Sequence, residues 1–123
     1  MASLIVISGN QTGEFLPLGR RISVIGRAES LPLQILDEMV SRRHFRIRFD
    51  KDTGKYYAED MGSKHGTFIN MRRITKETAL IEDDEIQIGQ TRILFTKKDF
   101  DTQESALMHW KKVGEKLRPT HNG

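Results

Sequence analysis

Not one cysteine occurs in the 123 residues of this chain. That excludes disulfides, thiolate nucleophiles and cysteine metal ligands, and it fits a reducing compartment. Long apolar runs are missing too. The run at the N-terminus, Leu4 to Ile7, has no basic leader and falls far short of a membrane span. The expectation is a soluble, cytoplasmic protein with no membrane partner. Charge of one sign is scarce: residues 1–96 carry 14 Lys/Arg against 13 Asp/Glu, and the last 27 residues add only +2. Nucleic-acid binders usually show a basic stripe or a ladder of aromatic stacking platforms, and neither is present. No Gly-x-Ser-x-Gly elbow, His-Glu-x-x-His pair or nucleotide-binding glycine loop occurs, and the four histidines are scattered. Ser41, His44 and Asp60 invite comparison with a hydrolase triad. However, residues three apart on a strand point to opposite faces. The chain is therefore expected not to be an enzyme, and to need no metal or cofactor.

What is present is a succession of short β-like runs with turn signals between them. Leu4–Ser8 is bounded by Gly9-Asn10, and Glu14–Leu18 carries Pro17, which suits an edge strand. Arg21–Ile25 and Leu33–Ile35 follow. Residues 44–49 alternate strictly, which turns Phe45, Ile47 and Phe49 inward. A turn at Asp52–Lys55 leads into Tyr56–Asp60. Thr67–Ile69 comes next, and Glu85–Gly89 with Thr91–Thr96 forms a last hairpin around Gly89-Gln90. Many short strands with no helix between them predict an antiparallel β-sandwich.

Three polar loops beside these strands hold the chemistry: Gly26-Arg27, Ser41-Arg42-Arg43-His44 and Gly62-Ser63-Lys64-His65-Gly66-Thr67. Arginine brings a planar fork of donors, serine a short hydroxyl, and glycine lets backbone N–H groups come close; together these can hold a phosphate. The loops are far apart in sequence, so such a site assembles only in a folded domain. If the backbone is extended after Ser41, only one of Arg42 and Arg43 easily shares its side.

Taken in this order, Gly26-Arg27, Ser41-x-x-His44 and the run Asp60 to Asn70 resemble the forkhead-associated (FHA) domain family. Leu80 to Gly89, an acidic turn followed by an Ile-x-Ile-Gly strand, is similar to the family's last hairpin. The resemblance covers residues 3–96 and has the character of a small stand-alone FHA protein of bacterial type. It implies an eleven-stranded antiparallel β-sandwich whose loops at one end bind phosphothreonine peptides. It also implies a signalling adaptor whose partner is a phosphothreonine-containing protein, a Ser/Thr kinase or its substrate.

By the same resemblance, Arg27, Ser41 and Arg42 contact the phosphate. Lys64 stands where a hydroxyl residue often does, and Ser63 and His65 complete the peptide-binding loop. Gly26, His44, Gly66 and Thr67 support the site, and Asn70 stabilises a turn. One departure lies at His65, where the family usually places an asparagine that holds the peptide backbone. A neutral imidazole offers one donor and one acceptor in its place, and a protonated one adds charge beside the phosphate. The segment Asp37-Glu38-Met39-Val40 is the candidate for reading the peptide C-terminal to the phosphate, through Met39 or Val40.

Residues 98–123 form a tail beyond the binding domain at 1–97. In the tail Ala106, Leu107, Trp110, Val113 and Leu117 recur at helical spacing, Asp101 and Glu104 resemble a helix-start pair, and Pro119 ends the run. A C-terminal α-helix is expected. It either docks Trp110 on its own sandwich or offers it to a partner. In the second case the chain would be an assembly module with a degenerate phosphate site. Thr102, in an acidic context, either starts the helix or accepts a phosphate that the site then binds. Oligomeric state is left open.

Overall fold

The computed structural model describes residues 2–9, 11–98, 105–106 and 108–111. Eleven strands form two sheets: β1 (Ser3–Val6), β2 (Phe15–Pro17), β3 (Ser23–Gly26), β4 (Leu33–Gln34), β5 (Phe45–Asp50), β6 (Lys55–Asp60), β7 (Thr67–Ile69), β8 (Arg72–Arg73), β9 (Thr78–Leu80), β10 (Glu85–Ile88) and β11 (Thr91–Thr96). One sheet has the order β2-β1-β11-β10-β7-β8 and the other β4-β3-β5-β6-β9. The expected sandwich is there, with one exception to its antiparallel rule: β3 and β4 run parallel, pairing Ile25 with Leu33 and Gly26 with Gln34. Pro17 lies on an edge strand, where its missing N–H disturbs no ladder.

Alternation builds the core. Phe45 and Ile47 of β5, Ile86 and Ile88 of β10, and Ile93 and Phe95 of β11 are all buried between the sheets, each contributing about 1.5–3 kcal/mol by leaving water. Phe49 is only partly buried; it packs on the core edge, its ring 5.0 Å from that of Tyr56. β1 breaks the alternation because both of its faces are covered. Leu4 and Val6 face the core, while Ile5 and Ile7 join Leu94 in a second cluster. Residues 105–106 and 108–111 are helical, and Ala106 and Trp110 lie on that cluster. The tail thus docks Trp110 on its own sandwich. Asp101, Thr102, Glu104, Leu107, Val113, Leu117 and Pro119 lie outside the described residues. Among the described residues no helix is long and apolar enough to cross a membrane.

β8 and β9 escape a reading of the sequence. Arg72–Arg73 is exposed and two residues long, so it has no periodicity to detect. Its hairpin with β7 turns through Asn70 and Met71, both at positive φ (49° and 72°), as a two-residue type I′ turn requires.

Candidate functional site

The loops that follow β3, β4 and β6 meet at one end of the sandwich, joined mainly by backbone. Gly26 leaves β3 against the start of the Ser41 loop. A Cβ there would sit 2.3 Å from the carbonyl oxygen of Arg42 and 2.8 Å from that of Ser41, so only glycine fits. This closeness lets the Arg27 N–H donate to the Ser41 carbonyl and the Ala28 N–H to the Arg42 carbonyl, both at 3.0 Å. The Arg27 side chain is then fixed by its Nε, which donates to the Val40 carbonyl at 2.9 Å. Its terminal nitrogens have no partner among the described residues and face solvent.

His44 holds the second and third loops together. Its Nδ1 accepts the Ser41 N–H at 3.0 Å, so the proton resides on Nε2, which donates to the Gly66 carbonyl at 2.8 Å. Burial pushes the imidazole below its ordinary pKa, against the opposing pull of the Gly66 hydrogen bond and the Asp60 charge. Both ring nitrogens serve backbone groups, so His44 is no base for the Ser41 hydroxyl. That hydroxyl accepts the Lys64 N–H at 3.1 Å, and its own proton is left to donate.

Asp60 shapes the third loop. Its Oδ2 accepts the N–H groups of Gly62 and Ser63 at 3.0 and 2.9 Å, and its Oδ1 accepts the hydroxyls of Ser63 and Thr67 at 2.5 and 2.7 Å. Burial raises the carboxyl's pKa, but the hydrogen bonds from Ser63, Thr67 and Gly62 outweigh it and hold the group below its ordinary value. The Ser63 oxygen also accepts the Gly66 N–H at 2.9 Å. With its one proton given to Asp60, the Ser63 hydroxyl braces the peptide-binding loop from within. Gly66 lies at φ +86°, and Thr67 is fully buried. Lys64 and His65 project from this brace and are exposed.

Asp37 does for the second loop what Asp60 does for the third. It accepts the Met39 N–H at 2.9 Å, the Gln90 N–H at 2.8 Å and the Thr91 hydroxyl at 2.9 Å, tying the loop to the β10–β11 turn. Burial raises its pKa, but the bonds from Met39, Thr91 and Gln90 together lower it by more, and the balance falls below the ordinary value. Neither aspartate stands out in the sequence as a brace. The available signal is local: Asp60 precedes Gly62-Ser63, and Asp37 precedes Met39, at Asx-turn spacing. One expectation is corrected. Val40 is 1% exposed and belongs to the core, so it cannot meet a peptide; Met39, at 38%, remains on the surface. Asn70, directly after β7, accepts the Glu85 N–H at 3.0 Å and donates to Asp84 at 2.8 Å, bracing its turn.

Four cations, Arg27, Arg42, Arg43 and Lys64, belong to these loops. On the sheets, Arg46 pairs with Glu59, Arg48 with Glu77 and Arg92 with Glu85. In the loops, no carboxylate among the described residues pairs with Arg27, Arg42, Arg43 or Lys64. Unpaired cations raise the local positive potential and draw anions toward these loops.

A two-sheet sandwich with an anion-ready loop cluster at one end defines a binding module. Comparison with known proteins names its kind. The family model described as the FHA domain matches residues 23–89. Over 90 residues the chain is 31% identical to the FHA domain-containing protein FhaB of Mycobacterium tuberculosis, covering 73% of this chain and 57% of that one. Over 94 residues it is 35% identical to an oxoglutarate dehydrogenase inhibitor of Corynebacterium jeikeium, covering 76% and 63%. It therefore spans less than two thirds of these relatives. An FHA domain solved in a study of phosphothreonine-dependent FHA domain interactions superposes with a TM-score of 0.70 at 26% identity, covering 80% of this chain and 98% of that one. The chain belongs to the FHA domain family.

Proposed function

We propose that this protein reads phosphothreonine on partner proteins, as an adaptor in Ser/Thr-kinase signalling, through Arg27, Ser41, Arg42 and Lys64. One observation carries the reading. Arg27 is anchored through Nε and Ser41 through its lone pair, so the terminal guanidinium nitrogens and the hydroxyl proton stay free at the same loop junction. A phosphothreonine brings about −1.5 to −2 charges and three acceptor oxygens. Each charge-assisted bond to it contributes about 1.5–3 kcal/mol. Two or three such bonds, with the peptide's other contacts and against the cost of ordering it, fit a micromolar affinity, on the order of −8 kcal/mol. Arg42 and Lys64, exposed on the adjoining loops, add charge. His65, exposed on the third loop, takes the peptide backbone through one ring nitrogen. The similar FHA domain from a study of phosphothreonine-dependent FHA domain interactions supports the same ligand class.

The alternative, an assembly module working through its C-terminal helix, is disfavoured by the packing: Ala106 and Trp110 commit their apolar surface to Ile5, Ile7 and Leu94 of the same chain. The test is calorimetric titration of a phosphothreonine peptide library, with phosphoserine and unphosphorylated controls, against wild type and Arg27→Ala. Micromolar binding that needs the phosphothreonine, weakened more than tenfold in Arg27→Ala, is expected. Equal affinity for phosphorylated and unphosphorylated peptides would overturn the reading.

A further inference from the structure

Arg73 stands outside every motif described above, yet its guanidinium lies against the recognition loop. A Cβ on Gly66 would be 2.7 Å from its Nε and 3.0 Å from its Cζ. The backbone places it firmly, since Arg73 pairs with Phe68 across β7–β8 and the next residue, Ile74, donates its N–H to the Thr67 carbonyl at 2.9 Å. Beside it opens a cleft of about 500 Å3, lined by Glu59, Asp60, Arg73, Ile74, Thr75 and Lys76.

The charges around this cleft do not cancel. Glu59 is neutralised by Arg46 at 2.7 Å. Glu77, next to Lys76 in sequence, is held by Arg48 through both oxygens, at 2.6 and 2.8 Å. Asp60 is turned into its own loop, accepting four hydrogen bonds there. Arg73 and Lys76 are exposed and have no ion-pair partner among the described residues. The Thr75 side chain adds a hydroxyl to the same wall. The cleft shares Asp60 with the loop that presents Lys64 and His65, so a peptide held at that loop has flanking residues within reach of it.

We propose that Arg73 and Lys76 form a second anion subsite, which takes an acidic side chain or a second phosphorylated residue of the bound peptide and so sets its sequence preference. The proposal rests on the phosphothreonine reading. Its chemistry is that of an anionic oxygen group: a guanidinium fork, an ammonium and a hydroxyl.

The test is a positional scan of phosphothreonine peptides. Gln, Glu or phosphoserine is placed in turn at each position on both sides of the phosphothreonine, and dissociation constants are measured for wild type, Arg73→Gln, Arg73→Lys and Lys76→Gln. At one position Glu is expected to bind about fivefold more tightly than Gln in wild type. That Glu-to-Gln ratio should fall to about one in Arg73→Gln, fall in part in Lys76→Gln, and be largely kept in Arg73→Lys. Phosphoserine binding well beyond Glu at that position identifies a second phosphate as the preferred occupant; equal binding identifies a carboxylate. A merely structural Arg73 would weaken all peptides alike and leave the ratio unchanged, and that overturns the subsite. A wild type that binds phosphothreonine but gains nothing from an acid at any position overturns the subsite alone. A wild type indifferent to phosphothreonine overturns the underlying reading and the subsite with it.

Discussion

The carbonyl of Gly66 accepts a 2.8 Å hydrogen bond from Nε2 of His44, across 22 residues of sequence and in a fully buried setting. Because Nδ1 of the same ring accepts the Ser41 N–H, one imidazole fixes the relative position of two recognition loops. Replacing it leaves a cavity, an unsatisfied carbonyl and an unsatisfied N–H. His44→Ala is expected to cost about 3 kcal/mol by urea denaturation. It should also lower phosphopeptide affinity although His44 itself touches no ligand.

The same ring sets a pH dependence. Burial depresses the His44 pKa in the folded state below its ordinary 6.5, so the unfolded chain binds the extra proton first. Stability from this group is complete above about pH 6.5 and is lost as the pH falls from there toward the folded-state value. Thermal melts of wild type should show the midpoint dropping below pH 6.5. In His44→Ala this step should be absent. A wild-type midpoint flat from pH 7 to 5 would contradict it.

Asp60 is expected to be as important as any residue that touches the phosphate. Asp60→Asn replaces one acceptor oxygen by a donor, which then opposes either the Gly62 and Ser63 N–H groups or the Ser63 and Thr67 hydroxyls. Turned toward the N–H groups, the amide loses two bonds outright; turned toward the hydroxyls, it forces Ser63 and Thr67 to give up their donated bonds and turn to accept, and either way the strengthening by the carboxylate's charge is lost. We expect a loss of about 3 kcal/mol in stability and at least a tenfold loss in peptide affinity, read by denaturation and calorimetry. Because its carboxyl titrates below the ordinary aspartate value, its contribution persists at mild acidity. It disappears as the pH falls from about 4 toward the depressed value.

Gly26→Ala forces a methyl group to within 2.3 Å of the Arg42 carbonyl oxygen. Backbone atoms cannot yield as a flexible side chain would, so the Arg27 loop must move away from the Ser41 loop. The expected outcome is about 2 kcal/mol of destabilisation, with amide chemical-shift changes centred on Arg27, Ala28, Ser41 and Arg42.

Trp110→Ala should separate the tail from the site. It uncovers Ile5, Ile7 and Leu94, at a cost of about 2 kcal/mol for a partly buried aromatic. It should increase binding of an apolar dye, with phosphopeptide affinity within twofold of wild type. A loss of peptide binding in this variant would give the tail a role in recognition.

The sequence by itself determined the sandwich, because alternation at Phe45, Ile47, Ile86 and Ile88 is a local pattern that states which side chains face inward. It also marked the three loops, because glycine, arginine and serine beside strand ends are chemically conspicuous wherever they occur. Tertiary structure decided the rest. Ser63 and Lys64 are neighbours in the chain, yet the Ser63 side chain is tied up by an aspartate three residues earlier while Lys64 stays exposed. Val40 and Met39 differ little in character, but one lies in the core and the other on the surface, since packing across the sheets fixes the phase of a short loop. Arg73 reaches Gly66 through a strand too short to have a period, and Asp37 meets Thr91 across 54 residues. Such relationships arise when two sheets close on each other and bring distant groups into hydrogen-bonding range, and no periodicity within one segment records them.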